Sequence, residues 1–259
     1  MTAELRIERF GTTLLLTLSD PATRNTLSPQ IYAAFIEALN YADAQTDVRC
    51  VVLTGDAGHF CSGGNLQRLV RNRTAGPAAQ IESIERFHEL IEALRVFPKP
   101  VIAAVEGAAA GAGFSLALSC DLLVAAKDAR FVLSYGRVGL SPDGGAVLHL
   151  MQAMPRSQVL QLLLLAEPVS AEQLHRQCIV NYLCEPGQAL TTALELAERL
   201  AQMAPNAVAS SKELVHKAQT ASLREHLALE QEHFVNNLFH DNAGEGIDAF
   251  LARRAPQFK

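Results

Sequence analysis

Two stretches of the chain put glycines where a strand hands over to a helix, and both could act through the backbone alone. Residues 101–119, VIAAVEGAAAGAGFSLALS, start as an apolar run of strand length after Pro98-Lys99-Pro100. They pass Gly107, Gly111 and Gly113 in a run of alanines and continue as small apolar residues. The pattern predicts a strand, a tight turn, and a buried helix that begins near Ala112. The first N–H groups of a helix have no partner inside it, and the helix dipole adds positive potential at the same end. No bulky side chain guards that end, so a ligand oxygen could touch the backbone there. Residues 59–66, HFCSGGNL, repeat the design after the apolar run 48–54, VRCVVLT. Two such turns aimed at one point would polarise a carbonyl as an oxyanion hole, and losing one donor of such a pair costs about 3–4 kcal/mol of transition-state stabilisation. The competing reading is close packing, which Gly/Ala-rich turns also serve.

The elements that hold these turns are read on either side of them. Leu14–Leu18 is a strand that stops at Ser19-Asp20-Pro21, and PATRNTLSP is a loop by composition. Ser28-Pro29 opens a helix as N-cap and first-turn proline, with Ile31, Phe35, Ile36 and Leu39 on one face. Residues 68–80 are polar, contain Thr74, Gly76 and Pro77, and read as a mobile segment. Residues 79–97 then have helical apolar spacing. Further on, helices are expected over 146–153 and 156–166 on either side of Pro155. A capping box, Ser170 to Gln173, opens another helix, and a short strand covers 179–183. Three amphipathic helices over 188–203, 207–220 and 223–238 precede a last one over 248–254. Strand–helix alternation followed by helices predicts an α/β core domain over residues 1–200 and a helical C-terminal section over 201–259. Apolar faces left over on that section would pack on a partner subunit.

Over 259 residues, 49% hydrophobic and 19% charged side chains are enough for a real core. A net charge of −5 argues against nucleic acid or an anionic membrane surface as the main partner, though not against a local basic pocket for phosphate. No stretch has the length and apolarity of a membrane span, and MTAELRIERFG lacks a signal-peptide core. Five scattered cysteines (Cys50, Cys61, Cys120, Cys178, Cys184) suit a reduced, cytoplasmic chain rather than a disulfide framework. No CxxC or HExxH pattern occurs, so no structural metal is expected.

Taken together, GHFCSGGNL (58–66), KPVIAAVEGAAAGAGFSLALSCDLLVAA (99–126), ARF (129–131) and GLSPDGG (139–145) are specific. On these motifs the chain resembles the crotonase superfamily, the enoyl-CoA hydratase/isomerase family, over nearly its whole length. The resemblance implies a crotonase-like spiral of ββα units forming two nearly perpendicular sheets, with C-terminal helices that assemble a homotrimer or a dimer of trimers. It implies an acyl-CoA thioester substrate, with coenzyme A part of that substrate and no separate cofactor. By position, the oxyanion hole would use the N–H groups of Gly64 and Ala112, with Gly63, Asn65, Leu66 and Gly111 around the substrate. Arg24 lies where relatives contact the CoA phosphates and adenine. Its plain alternative is a solvated loop arginine, and Asn65 can equally cap the following helix.

Hydratases of the family add water with two glutamates, and at those positions this chain has Ser115 and Tyr135. A hydroxyl and a phenol have reference pKa values too high to replace a carboxylate pair near neutral pH. Both are expected to line the pocket or pack. Asp143 remains, at a position where an aspartate serves as base or nucleophile in several relatives. The pattern is most similar to the 1,2-epoxyphenylacetyl-CoA isomerase branch. Taken alone, Pro142-Asp143-Gly144 is an ordinary turn sequence. The resemblance therefore implies an isomerase that moves a double bond or opens a ring through an enolate, with Asp143 as its one base. The alternatives are hydratase, other lyase or hydrolase chemistry on the same scaffold, or a non-catalytic acyl-CoA-binding protein.

Overall fold

The longest apolar runs of the chain become the inner strands of one sheet. The structure, a computed structural model, describes residues 3–259. Its strands are β1 (Glu4–Phe10), β2 (Thr13–Ser19), β3 (Cys50–Gly55), β4 (Val101–Val105), β5 (Ala108–Ala110), β6 (Leu122–Ala126), β7 (Arg130–Val132), β8 (Val169–Ser170) and β9 (Tyr182–Cys184). Six of them form a sheet of order β1-β2-β3-β4-β6-β9, antiparallel at β1–β2 and parallel thereafter. The other three, β5-β7-β8, form a second, smaller sheet. Parallel strands are covered on both faces, which is why β3 and β4 are buried almost throughout.

The helices are α1 (Pro29–Ala44), α2 (Leu66–Ala75), α3 (Pro77–Val96), α4 (Ala112–Leu118), α5 (Ala146–Ala153), α6 (Arg156–Leu165), α7 (Ala171–Arg176), α8 (Ala189–Ala201), α9 (Pro205–Ala218), α10 (Leu223–Leu238) and α11 (Asp241–Leu251). Ser28 caps α1 by accepting from the Ile31 N–H, and Ser170 and Gln173 form the expected capping box at α7. No helix among the described residues is long and apolar enough to cross a membrane. Between the sheets, Phe114 of α4 meets Phe131 of β7 with ring centroids 5.0 Å apart, and both are fully buried.

Three expectations are corrected. The polar segment 68–80 is not a loose connection but the body of α2 and the start of α3. Asn65 Oδ1 accepts from the Arg68 N–H at 3.1 Å, and Gly76, at φ 105°, separates the two helices. With no buried residue, α2 has no apolar stripe to read. The last helix begins at Asp241 rather than 248. His240 caps it, while Gly244 and Gly246 depress its apparent helix propensity. The strand expected over 179–183 is Tyr182–Cys184. β1 went unread because alternating charges and apolar residues on an exposed edge strand give a weak signal.

One partly buried ion pair ties the helical section to the large sheet. Lys212 of α9 donates to Asp121 Oδ2 at 2.7 Å and to the Lys99 carbonyl at 3.2 Å, and its Nζ lies 5.7 Å from the centre of the Phe97 ring. Asp121 Oδ2 also accepts from the Val101 N–H at the head of β4, 2.8 Å away. Burial pushes the Asp121 carboxyl above the usual carboxylate range, and the Lys212 charge pulls it back. Breaking such a pair costs about 3–5 kcal/mol because it strands a buried charge. Lys212→Met is expected to lose stability on that scale. A carboxyl with a raised folded-state pKa binds its proton more tightly when folded, so its contribution is present at low pH and lost as pH rises through that pKa. The loss in Lys212→Met should therefore be larger at pH 8 than at pH 5 when read by urea unfolding. Equal losses at both pH values would contradict this account.

Candidate active site

The two glycine turns become neighbours because the chain after β3 is laid along β5. Phe60 donates its N–H to the Glu106 carbonyl (2.9 Å), Cys61 to Ala108 (3.0 Å), and Ala110 donates back to Cys61 (2.8 Å). That parallel pairing leaves no room for side chains between the turns. A Cβ on Gly63 would lie 2.5 Å from the Ala110 carbonyl oxygen and 3.0 Å from the Ala112 nitrogen, and one on Gly113 would lie 2.4 Å from the Cys61 carbonyl oxygen. Gly63 (φ 86°) and Gly111 (φ 52°) also have the positive φ that glycine adopts without penalty. Ala112 is the first residue of α4, whose N-terminal N–H groups have no intrahelical acceptor. Gly64 faces open space. Among the described residues neither the Gly64 nor the Ala112 N–H is engaged by an acceptor outside regular structure. Two adjacent turns with free donors are an arrangement that can polarise a carbonyl oxygen placed against them.

The loop read from the composition of PATRNTLSP braces the first turn. Asn25, buried and at φ 61°, accepts from the Asp20 N–H (2.9 Å) and donates to the carbonyls of Asp56 (2.9 Å) and His59 (2.7 Å). Ser62 donates its N–H to the Arg24 carbonyl and its hydroxyl to the Thr23 carbonyl, and Leu27 donates to Gly63 at 2.8 Å. Arg24 itself is exposed on this loop, with its backbone joined to the turn at Ser62. Asn65 caps α2, and Leu66 begins it, 59% exposed.

The side-chain half of the site comes from three other elements. Tyr135 stands in a 3-10 turn, Ser134–Val138, that follows β7. Its ring covers the start of α4, 3.7 Å from where a Cβ on Gly111 would be, and its hydroxyl donates to Asp143 Oδ1 at 2.6 Å. Ser115, one turn into α4 and fully buried, donates to the Asp143 carbonyl at 2.9 Å and lies 3.4 Å from the Tyr135 hydroxyl. Gly144, at φ 60°, lets the loop press close. A Cβ there would lie 2.4 Å from the Phe87 ring and 2.9 Å from the Ser115 Cβ. Phe87 packs against Tyr32 with ring centroids 5.3 Å apart.

Electrostatics keeps both phenols in their donor form. Burial first, and then the negative charge of Asp143, push the Tyr135 hydroxyl far above its ordinary pKa. Tyr32 is pushed up to about 12 by burial, with the Arg68 charge opposing the shift and the Asp143 charge adding to it. Burial also pushes the Cys61 thiol up to about 12, so it remains a packing group rather than a nucleophile.

Of the residues singled out in the sequence, Gly63, Gly64, Gly111, Ala112, Ser115, Tyr135 and Asp143 come together at one place. Asn65 and Leu66 flank it at the head of α2, and Arg24 borders it through the loop that holds Ser62. Sequence reasoning missed Asn25, Tyr32, Phe87 and Arg68 as contributors. Phe87 was visible as one of the apolar residues of a helical face, but nothing in its spacing said that the face ends at a functional loop.

Comparison with known proteins agrees with this geometry. The family model described as enoyl-CoA hydratase/isomerase matches residues 8–259. The chain is 36% identical to a 1,2-epoxyphenylacetyl-CoA isomerase of Escherichia coli (strain K12), covering 95% of this chain and 94% of the other. It is 33% identical to a 2,3-dehydroadipyl-CoA hydratase of the same organism, covering 99% of each. A crystal structure of an enoyl-CoA hydratase from Polaromonas sp. JS666 superposes with a TM-score of 0.97 at 53% identity, covering 98% of this chain and 99% of that one. Fold, motif positions and similarity over the whole length agree: the chain belongs to the enoyl-CoA hydratase/isomerase family and has the crotonase fold.

Proposed function

We propose that this member of an acyl-CoA-processing family is an isomerase that relocates a double bond or opens a ring of a CoA thioester, with Asp143 as its one base. The observation that carries the reading is the Tyr135–Asp143 hydrogen bond of 2.6 Å, set beside a serine rather than a second carboxylate. In this scheme the thioester oxygen lies against the N–H groups of Gly64 and Ala112. Their pull makes a carbon-bound proton alpha or gamma to the carbonyl removable. Asp143 takes that proton, the electron pair delocalises onto the thioester oxygen as an enolate, and the same carboxyl returns the proton to a different carbon. No water enters, and base and acid are one group. Tyr135, held in its protonated form, orients the carboxylate and is its partner while it is charged. The similarity to the Escherichia coli isomerase supports the same choice.

Hydration is the second reading, favoured by the Polaromonas neighbour and by the dehydroadipyl-CoA relative, both named hydratases. Against it, Ser115 and Tyr135 occupy the positions where family hydratases have their glutamates. We also propose that exposed apolar residues of the C-terminal helices, among them Leu223, Phe234, Phe239 and Phe250, meet partner subunits in a homotrimer or a dimer of trimers.

Incubation with enoyl-, dienoyl- and aryl-acyl-CoA thioesters in oxygen-18 water separates the two readings. Isomerisation shifts the absorbance with no change of mass, whereas hydration adds labelled water. Asp143→Asn is expected to lower kcat by about 10²–10⁴-fold, the usual contribution of a positioned general base, while affinity for a non-reacting acyl-CoA stays close to wild type. Full activity in that variant would end the one-base scheme. Tyr135→Phe removes one hydrogen bond to a charged group and should cost roughly tenfold or more, mainly in kcat rather than KM. A purely KM effect would make Tyr135 a pocket-lining residue instead.

A further inference from the structure

Arg68 is the least explained charge near this site. It lies one helical turn after Gly64, on α2. Its Nη1 donates to the Leu27 carbonyl at 2.8 Å, and the Leu27 N–H donates to the Gly63 carbonyl, so the guanidinium is tethered to the first turn through Leu27. On one side it acts on Tyr32, which also feels the charge of Asp143. On the other it lines a cavity of about 340 Å³ between α2 and α3, with Asn72, Ser83, Glu82 and Arg86. Glu82 is already paired with Arg86 at 2.7 Å, and Asn72 is spent on Gln80. Arg68 makes no ion pair among the described residues, and its Nε is buried without an acceptor. A buried donor is costly to leave unmade, and a guanidinium fork fits the two oxygens of a carboxylate better than any other common group.

Resting on the acyl-CoA reading of the site, we infer that Arg68 recognises a carboxylate at the far end of the acyl group, so that the preferred substrates are CoA monothioesters of dicarboxylic acids. The carboxylate would take the unengaged Nε–H and neutralise the one cation of the cavity that lacks a counterion. A purely aliphatic or unsubstituted aryl tail would leave both unsatisfied, and the site would select against it.

The test is binding rather than turnover, with saturated esters that cannot isomerise. Calorimetry on the full chain compares CoA monothioesters of four-, six- and eight-carbon diacids with the matching monocarboxylic acyl-CoA esters. At the length that fits, wild type should bind the diacid ester at least tenfold more tightly. Arg68→Gln should abolish that ratio, and Arg68→Lys, which keeps the charge without the fork, should retain part of it. No preference at any length in wild type, or a preference that survives Arg68→Gln, overturns the inference. Should Arg68→Gln fail to fold, as seen by circular dichroism, an undiminished ratio in Arg68→Lys still counts against recognition by the fork. Failure of every CoA ester to bind wild type would instead strike at the acyl-CoA reading itself, which separates the two failures.

Discussion

The short parallel pairing of residues 60–61 with β5 is the constraint on which the site depends. It involves only three backbone hydrogen bonds, from Phe60, Cys61 and Ala110. Because of it, two turns more than 40 residues apart in the chain come so close that a single methyl at Gly63 would collide with both Ala110 and Ala112. Backbone donors are well suited to polarising a carbonyl because the fold, not a flexible side chain, holds them in place. The energetic burden falls on the supports: buried Asn25 and the Ser62 hydroxyl satisfy the carbonyls and amides that the irregular segment leaves open.

Around that backbone frame the side chains form a compact hydrogen-bonded group. Ser115 grips the main chain of Asp143, Tyr135 grips its carboxylate, and Phe87 closes over Gly144. Ser115 thus has a structural job: it fixes the loop that carries the Asp143 carboxylate. A carboxylate held at its main chain and its side chain by separate partners loses little freedom on binding a substrate, which is what a proton carrier needs. The same group explains why a glycine follows Asp143, since any side chain there would enter the Phe87 ring.

Two partly buried charged sites are held by specific partners. Lys212 and Asp121 satisfy one another while joining α9 to the head of β4. Tyr135 and Asp143 do the same at the site. Arg68 differs, with a buried Nε–H that no protein atom accepts, and it lines the cavity between α2 and α3. His59 Nδ1, His216 Nε2 and His226 Nδ1 are likewise buried without a partner, but of the four only Arg68 Nε belongs to a permanently charged fork.

The sequence by itself determined the two strand–glycine–helix turns, the helix start at Ala112, the caps at Ser28, Asn65 and Ser170, and the absence of a glutamate pair at positions 115 and 135. These are legible because they rest on local chemistry: a free N–H, a side-chain cap, a residue type that cannot act as a base. The short strands β5, β6 and β7 were not legible, since they pair with strands about 20 residues or more away and their own periodicity is weak; the edge strand β1 pairs with its neighbour β2, but its charged, exposed sequence hides it. Only the tertiary structure decided that the turns touch, that Ser115 and Tyr135 both bond Asp143, and that Arg68, in a segment read as mobile, is helical and bonded to the Leu27 carbonyl. Each of those facts is a contact between residues that are distant in sequence, and such contacts come from packing, which no single window of residues encodes.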